Sequence, residues 1–160
     1  MQPLLEALLD SWDRNNTILV NLLRALPQDV LQFRAMEGSK SFAEMFIHIH
    51  GTRLFFISEC VPELSGTLPE KVPADKGDSV RIAQMLNESA QAVRVAVQTK
   101  LEHNQQMEVF YDHPILMLQH LIWHDAYHHG QIKLALKLAG RPLDDEEIGA
   151  VTWHVWMDKH

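Results

Sequence analysis

Histidine is the residue whose number and spacing stand out in this chain. The 160 residues include ten histidines, four of them between His120 and His129. His124 and His128 are four residues apart, so in a helix they project from one face about one turn apart. Two imidazoles at that spacing can bind one divalent metal ion, as in zinc-binding helices of the pattern H-E-x-x-H. The residues between them here are Asp-Ala-Tyr, so the general-base glutamate of that pattern is missing.

A metal ion held by this pair needs a further ligand from another part of the chain. His48 and His50 are the candidates in the predicted second helix, where they point to nearly opposite sides, and periodicity does not choose between them. His120, four residues before His124, is an alternative ligand, whereas His129 should point roughly 140° away from His124. Imidazoles buried beside leucine and methionine are costly unless their nitrogens find partners, and a metal ion provides them.

Several other polar residues lie near this predicted site. Asn15 and Gln131 fall on predicted buried stripes, where we expect their amides to be buried with their hydrogen bonds made within the core. The alternative is that they line the metal site or bind the second ring nitrogen of a histidine ligand. Asp125 and Tyr127 are predicted to face solvent. Cys60 is the only cysteine, which rules out an intramolecular disulfide and fits a reducing cytoplasm. We expect its thiol to be buried and inert.

Four long helices are predicted from apolar residues that recur every three or four positions. Four such helices favour an all-α fold, a four-helix bundle with a short C-terminal extension, as one domain over residues 1–160. The predicted ends come from helix caps and prolines. The first helix ends at Pro27, a capping box at Ser41 begins the second, Asp78 or Ser79 caps the third, and Pro114 and Gly140 bound the fourth.

The segments between the helices are predicted from their turn residues. Residues 61–77 are rich in proline and glycine and should form a surface loop, and residues 104–112 form a connector of undetermined structure. The last twenty residues should pack across the bundle as a short helix or an extended tail. Trp153 and Trp156 are expected to cap the core, with a lid over the metal site as the alternative, and an acidic turn at 144–147 is expected to face solvent.

Composition excludes several classes of partner. The net charge is −7 and no cluster of lysine or arginine is present, so a nucleic-acid or anionic-membrane surface is not expected. No apolar run approaches the roughly 18 residues that a membrane span needs. The N-terminus lacks the basic residues and the uninterrupted apolar stretch of a signal peptide, which favours the cytoplasm.

Two segments resemble the signature regions of the DinB/YfiT-like superfamily. They are Ser41-Phe-Ala-Glu-Met-Phe-Ile-His48-Ile and His124-Asp-Ala-Tyr-His128-His129-Gly130-Gln131-Ile132. Carried over residue by residue, the metal triad of that family falls on His48, His124 and His128. Members of the family often have an extra residue between the second adjacent histidine and Gly-Gln. This chain lacks that residue, which keeps His120 as an alternative ligand.

The resemblance also implies a fold and an activity. It implies an up-down-down-up bundle that binds one divalent metal ion and forms a homodimer. Zinc or nickel is expected, with iron as a further option, because three imidazoles suit all of these ions. Three protein ligands leave a coordination position open, as in catalytic zinc sites. Relatives include bacillithiol and mycothiol S-transferases, so we expect an S-transferase that activates a low-molecular-weight thiol. A metal-dependent hydrolase and a non-catalytic, metal-binding stress-response protein are the alternatives.

Overall fold

The fold is all-α, as predicted. The computed structural model describes residues 2–73 and 77–159, so residues 74–76 of the predicted loop lie outside the described residues. Within the described ranges no β-strand occurs, and one isolated bridge joins Arg34 to Ser41. The α-helices are α1 (Gln2–Ala25), α2 (Phe42–Cys60), α3 (Ser79–Glu102), α4 (Pro114–Leu138) and α5 (Asp145–Val151). Short 3-10 segments lie at Gln28–Val30, Pro62–Thr67 and Trp153–Trp156.

The helix ends follow the capping residues that the sequence indicates. The Ser41 side chain accepts a hydrogen bond from the Glu44 backbone N–H, and the Glu44 carboxylate accepts one from the Ser41 N–H. This capping box satisfies backbone donors that the first turn of α2 would otherwise leave unpaired. Asp78 caps α3, and Pro114 occupies the first turn of α4. Beyond α4, Gly140 has a φ of +71°, a conformation that glycine adopts without steric cost.

Two apolar clusters establish the direction of the four long helices. One cluster joins the C-terminal halves of α1 and α4 to the N-terminal halves of α2 and α3. The other joins the opposite halves of the same helices. The bundle therefore runs up-down-down-up, as the resemblance implies. Because α2 and α3 are parallel, their connection is a crossover, and we call its described residues, 61–73 and 77–78, the crossover segment. None of the helices in the described part of the chain has the length and apolar character needed to cross a membrane.

A polar layer separates the two clusters halfway along the bundle. Arg53 of α2 and Asp125 of α4 form an ion pair of 2.8 Å, with both side chains fully buried. Asn15 of α1 donates to the same Asp125 oxygen at 2.8 Å, and Arg53 also donates to Asn16 and to Ser89. The solvent-facing position predicted for Asp125 is wrong. The guanidinium and the Asn15 amide supply the charge and hydrogen bonds that a buried carboxylate needs.

The C-terminal residues cross α1, but the two indoles are not in the core. Trp153 is 69% exposed and Trp156 is 44% exposed, so their predicted core position is wrong. The segment is held instead by Ile148, which is buried in the first apolar cluster, and by its backbone, because Asn21 donates to the Val151 carbonyl and Arg14 to the Val155 carbonyl. These anchors let the segment dock without burying either indole. The predicted acidic turn is exposed, and within it the Asp144 side chain caps α5.

Candidate metal centre

The structure brings His48, His124 and His128 together between α2 and α4. One ring nitrogen from each lies within 4.8 Å of the others, and all three side chains are half-buried. The ring centroids are 4.6 to 5.3 Å apart. The Nε2 atoms of His124 and His128 are separated by 3.2 Å. Two nitrogens bound at 2.0–2.1 Å to one tetrahedral zinc ion would be roughly 3.3 Å apart. The pair on α4 thus already has the spacing of two metal ligands.

Gln131 fixes the orientation of the His128 ring. The Nδ1 atom of His128 lies 2.8 Å from the Gln131 side-chain oxygen, one turn along α4. An amide oxygen can only accept, so Nδ1 carries the proton and Nε2 keeps its lone pair. That lone pair points towards the other two imidazoles. Gln131 thus fits the second role considered for it, which is to hold the outer nitrogen of a metal ligand.

Asp125 lies beside the outer nitrogen of His124. The distance from His124 Nδ1 to Asp125 Oδ1 is 3.6 Å, and both atoms are buried with no hydrogen-bond partner among the described residues. A buried carboxylate next to Nδ1 favours the tautomer that carries the proton there. Two Nε2 lone pairs would then face each other across the centre. A divalent cation between them removes that repulsion, so this donor set suits a metal ion.

Burial keeps two of the three imidazoles uncharged near neutral pH. The pKa of His48 is lowered to about 4, mainly by burial and in smaller part by the neighbouring His128, His124 and Lys40. The pKa of His128 is also lowered, mainly by burial and then by His124, while the hydrogen bond to Gln131 works in the opposite direction. Metal ligation needs neutral imidazole. These two histidines are therefore in the metal-binding form over the physiological pH range.

The other candidate histidines lie elsewhere. The ring nitrogens of His50 are each 2.8 Å from a backbone carbonyl oxygen, one of Met85 and one of Glu70. His50 therefore ties the crossover segment to α3 and is separate from the triad. His120 lies 2.7 Å from the Tyr111 hydroxyl within an aromatic cluster. His129 lines a 230 Å³ cavity between α1, α4 and the C-terminal segment, together with both exposed tryptophans.

A cleft of about 690 Å³ opens beside His48. One wall is the face of α2 that carries His48, Gly51, Thr52 and Phe55. The opposite wall comes from the segment before α2 and from the crossover segment. A cleft of this volume is within the range of about 300–1,000 Å³ that small-molecule sites occupy. The triad thus has space for a substrate next to one of its ligands.

Sequence reasoning missed Arg53 and Asp125, although a signal was present. Arg53 is four residues after Ile49 and four before Ile57, and Asp125 is four after Leu121. Both charged residues therefore occupy core positions of their helices. Two opposite charges on facing core stripes indicate a buried ion pair. The buried face predicted for α4 is centred on the histidines, and that choice puts Asp125 on the solvent-facing side of the helix.

Cys60 and Tyr127 behave as the sequence predicts. Cys60 is fully buried, and burial raises the pKa of its thiol to about 11. A thiol that stays protonated at neutral pH is a poor nucleophile. Tyr127 is half exposed beside the triad, with its ring 5.1 Å from that of His128. Any reactive thiolate at this site must therefore come from a substrate.

Comparison with known proteins gives one match. The family model described as the DinB family matches residues 1–147. The matched region contains all three histidines of the triad and the four long helices of the bundle. No curated protein and no solved structure matches the chain.

Proposed function

The chain belongs to the DinB family, and from this premise we propose that it is a metal-dependent thiol S-transferase. His48, His124 and His128 would bind one divalent ion, with zinc or nickel as the expected metal and iron as a further option. When bound, such an ion supplies the Lewis acidity that lowers the pKa of a coordinated thiol. The proposed thiol is a low-molecular-weight one, and the proposed compartment is the reducing cytoplasm.

The observation that supports catalysis is the open side of the triad. Three imidazoles converge from two helices, their rings are half-buried, and a 690 Å³ cleft adjoins His48. A structural zinc site would normally have four protein ligands, whereas catalytic sites keep a position for water or substrate. The three-histidine set therefore favours substrate access over a purely structural role.

The residues around the triad orient its ligands. Gln131 fixes the His128 ring, and the buried Asp125 carboxylate favours the His124 tautomer that directs Nε2 inward. In the proposed reaction a sulfur–carbon bond forms, a leaving group such as halide departs from the electrophile, and the thiol proton passes to solvent. The transfer needs no oxidant or reductant and no second protein nucleophile.

The first test is the metal content of untagged protein, measured by plasma mass spectrometry after incubation with zinc or nickel. Wild type should bind about one equivalent, as expected for one three-ligand site. His128→Ala should bind far less, because it removes one of the three ligands. His120→Ala is the matched control: it removes a histidine two turns earlier on α4 that lies outside the triad. Absence of metal from wild type would contradict the proposal.

The second test is turnover. Metal-loaded wild type should accelerate conjugation of cellular thiols with chloro-dinitrobenzene or bromobimane, His128→Ala should not, and His120→Ala should retain the activity. Metal-dependent turnover of esters or amides without added thiol would identify a hydrolase instead. A protein that binds one equivalent of metal but catalyses neither reaction would be a non-catalytic metal binder, and the transferase proposal would fail.

A further inference from the structure

The cavity between α1, α4 and the C-terminal segment is separate from the candidate metal centre. It has a volume of about 230 Å³ and shares no lining residue with the cleft beside His48. We call it the tryptophan cavity, because Trp153 and Trp156 line it from the C-terminal segment. The family model ends at residue 147, so both tryptophans lie outside the matched region. The family match therefore does not account for this cavity.

The size and lining of the tryptophan cavity suit a small aromatic molecule. Ile18 and Leu19 of α1 are buried in its wall, whereas both tryptophans are exposed and leave the outer side open to a ligand. An engineered apolar cavity of roughly 150 Å³ binds benzene, so by proportion 230 Å³ leaves room for about nine heavy atoms, the size of a fused two-ring molecule. The indole rings of the tryptophans can pack against the ring of such a molecule.

The charges around the tryptophan cavity favour a neutral ligand. Asp125 is the one acidic residue that lines it among the residues that the structure describes, and no lysine or arginine does. The Asp125 carboxylate is already paired with the Arg53 guanidinium at 2.8 Å. A charged ligand would therefore be buried without a counter-charge, which is costly.

The polar groups of the tryptophan cavity call for a hydrogen-bond donor. The Nε2 atom of His129 is buried and has no hydrogen-bond partner in the described part of the chain. The Thr152 hydroxyl donates to the Ile148 carbonyl at 2.6 Å, so its oxygen can only accept from a ligand. The Asp125 carboxylate also only accepts. A ligand with an N–H or O–H group would give His129 the partner that it lacks.

We propose that the tryptophan cavity binds a small neutral aromatic molecule whose N–H or O–H group donates a hydrogen bond to His129 Nε2. The ring of the ligand packs between the apolar residues of α1 and the two indoles. This site is additional to the triad and does not rest on the proposed thiol transfer. His129, which adjoins the metal ligand His128 in the sequence, thereby acquires a role of its own.

Calorimetric titration with indole and benzofuran tests the hydrogen bond. The two molecules have the same fused-ring shape, but only indole has an N–H group. Indole should bind at one site per chain, about five- to tenfold more tightly than benzofuran. His129→Leu should remove this difference, because leucine offers no acceptor. His154→Leu replaces an exposed histidine of the C-terminal segment that does not line the cavity, and it should keep the difference.

Removal of the two indoles tests the ring contacts. Trp153→Ala/Trp156→Ala should weaken the binding of both ligands about tenfold, because aromatic contacts with the ligand are lost. Both residues are exposed, so the variant should keep the helical content of wild type, which circular dichroism measures. Trp123→Ala is the matched control: it removes an exposed indole of α4 outside the cavity and should bind both ligands as wild type does.

Nuclear Overhauser effects locate the bound ligand. The ring protons of indole should show contacts with the methyl groups of Ile18 and Leu19, both in wild type and in His128→Ala. Contacts with Ile47 instead would place indole in the cleft beside His48 and overturn the proposal. Absence of saturable indole binding would overturn it too, as would a preference for indole that survives in His129→Leu. Because no metal is needed, these outcomes are independent of whether the protein transfers thiols.

Discussion

At the scale of single residues, the uncharged state of buried histidines links the candidate site to pH. Burial lowers the pKa of His48 to about 4 and also lowers the pKa values of His50, His128 and His129. In the unfolded chain these histidines would titrate near 6.5. Between about pH 6.5 and 4 the unfolded chain therefore binds more protons than the folded protein does. The free energy of unfolding must fall as the pH falls through this range.

The metal-free protein should accordingly lose stability between pH 6.5 and 4, and His48→Gln should lose less over the same range. Urea unfolding at several pH values in the presence of a chelator measures this. His154→Gln is the control, because His154 is exposed and lacks the burial that lowers the pKa of His48. If His48→Gln and wild type show the same pH dependence, the buried, neutral state of His48 in the metal-free protein is wrong.

Gln131 makes a separate prediction about metal affinity. Its side-chain oxygen holds the outer nitrogen of His128, and loss of such a partner typically weakens metal binding about 10- to 100-fold. Gln131→Leu should therefore lower the affinity for zinc, measured by competition with a chromophoric chelator. Gln131→Glu keeps an acceptor oxygen and should retain most of the affinity. Equal affinities for wild type and Gln131→Leu would show that the hydrogen bond does not orient His128.

The sequence predicts the triad but not all the residues that support it. The pair on α4 follows from four-residue spacing alone, because that spacing fixes a shared helical face. His48 could be chosen over His50 only through the family resemblance. The structure explains the difference, since the two ring nitrogens of His50 lie 2.8 Å from the carbonyl oxygens of Met85 and Glu70, which are 35 and 20 residues away along the chain. Spacing within one helix carries no information about such partners.

At the scale of secondary-structure elements, one buried ion pair joins the two helices that carry the triad. Arg53 on α2 is five residues after His48, and Asp125 on α4 adjoins His124. Arg53 also donates to the Leu86 carbonyl of α3 and lies over the Trp12 ring of α1, 4.8 Å from its centroid. The pair thus connects all four long helices. It sets the separation of α2 and α4, on which the spacing of the triad depends.

Breaking this pair should be costly. Asp125→Asn leaves the Arg53 charge buried without a counter-charge, which typically costs about 3–5 kcal/mol of stability. Arg53→Met leaves the Asp125 charge buried in the same way and should cost a similar amount. The double variant Arg53→Met/Asp125→Leu should be less destabilised than the sum of its single changes. Urea unfolding of the four proteins gives the coupling energy. Arg81→Met, which removes ion pairs with Glu88 and Glu70 that stay in partial contact with solvent, should cost much less.

If the single changes cost no more than Arg81→Met, the buried pair does not stabilise the bundle. Metal content of the same variants adds a second measurement. Asp125→Asn should also weaken zinc binding, since the amide no longer presents a carboxylate to His124 Nδ1. A variant that loses stability yet binds zinc as wild type does would limit the role of Asp125 to folding.

The ends of the helices were easier to predict from the sequence than the path of the tail. Caps at Ser41 and Asp78 act on backbone groups three residues away or less, so local sequence determines them. The C-terminal segment docks through bonds to Asn21 and Arg14, more than a hundred residues away. The apolar character of its tryptophans favours the core. Backbone anchoring leaves their side chains outside, which composition does not reveal.

At the scale of the whole molecule, the outer face of α4 carries an unusual apolar stripe. Its members are spaced seven, four, seven and four residues apart, which keeps them on one face of a nearly straight helix. All are exposed, and Gly130 between them would meet no atom within 4 Å if it carried a Cβ. The stripe consists of Leu116, Trp123, Tyr127, Leu134 and Leu138. A contiguous apolar face of this kind is typical of protein interfaces.

The homodimer that the family resemblance implies should form through this stripe, with α4 of one protomer packed against α4 of its partner. A two-fold arrangement pairs the same surface from both copies, and the bare backbone at Gly130 allows close approach of the two helices.

Trp123→Asp/Leu134→Asp should convert the dimer to a monomer in sedimentation equilibrium, because it would bury four carboxylates without partners in the dimer. Val95→Asp, at an exposed valine of α3, is the matched control and should remain dimeric. A monomeric wild type would refute the dimer, whereas a dimeric Trp123→Asp/Leu134→Asp protein would place the interface on another face.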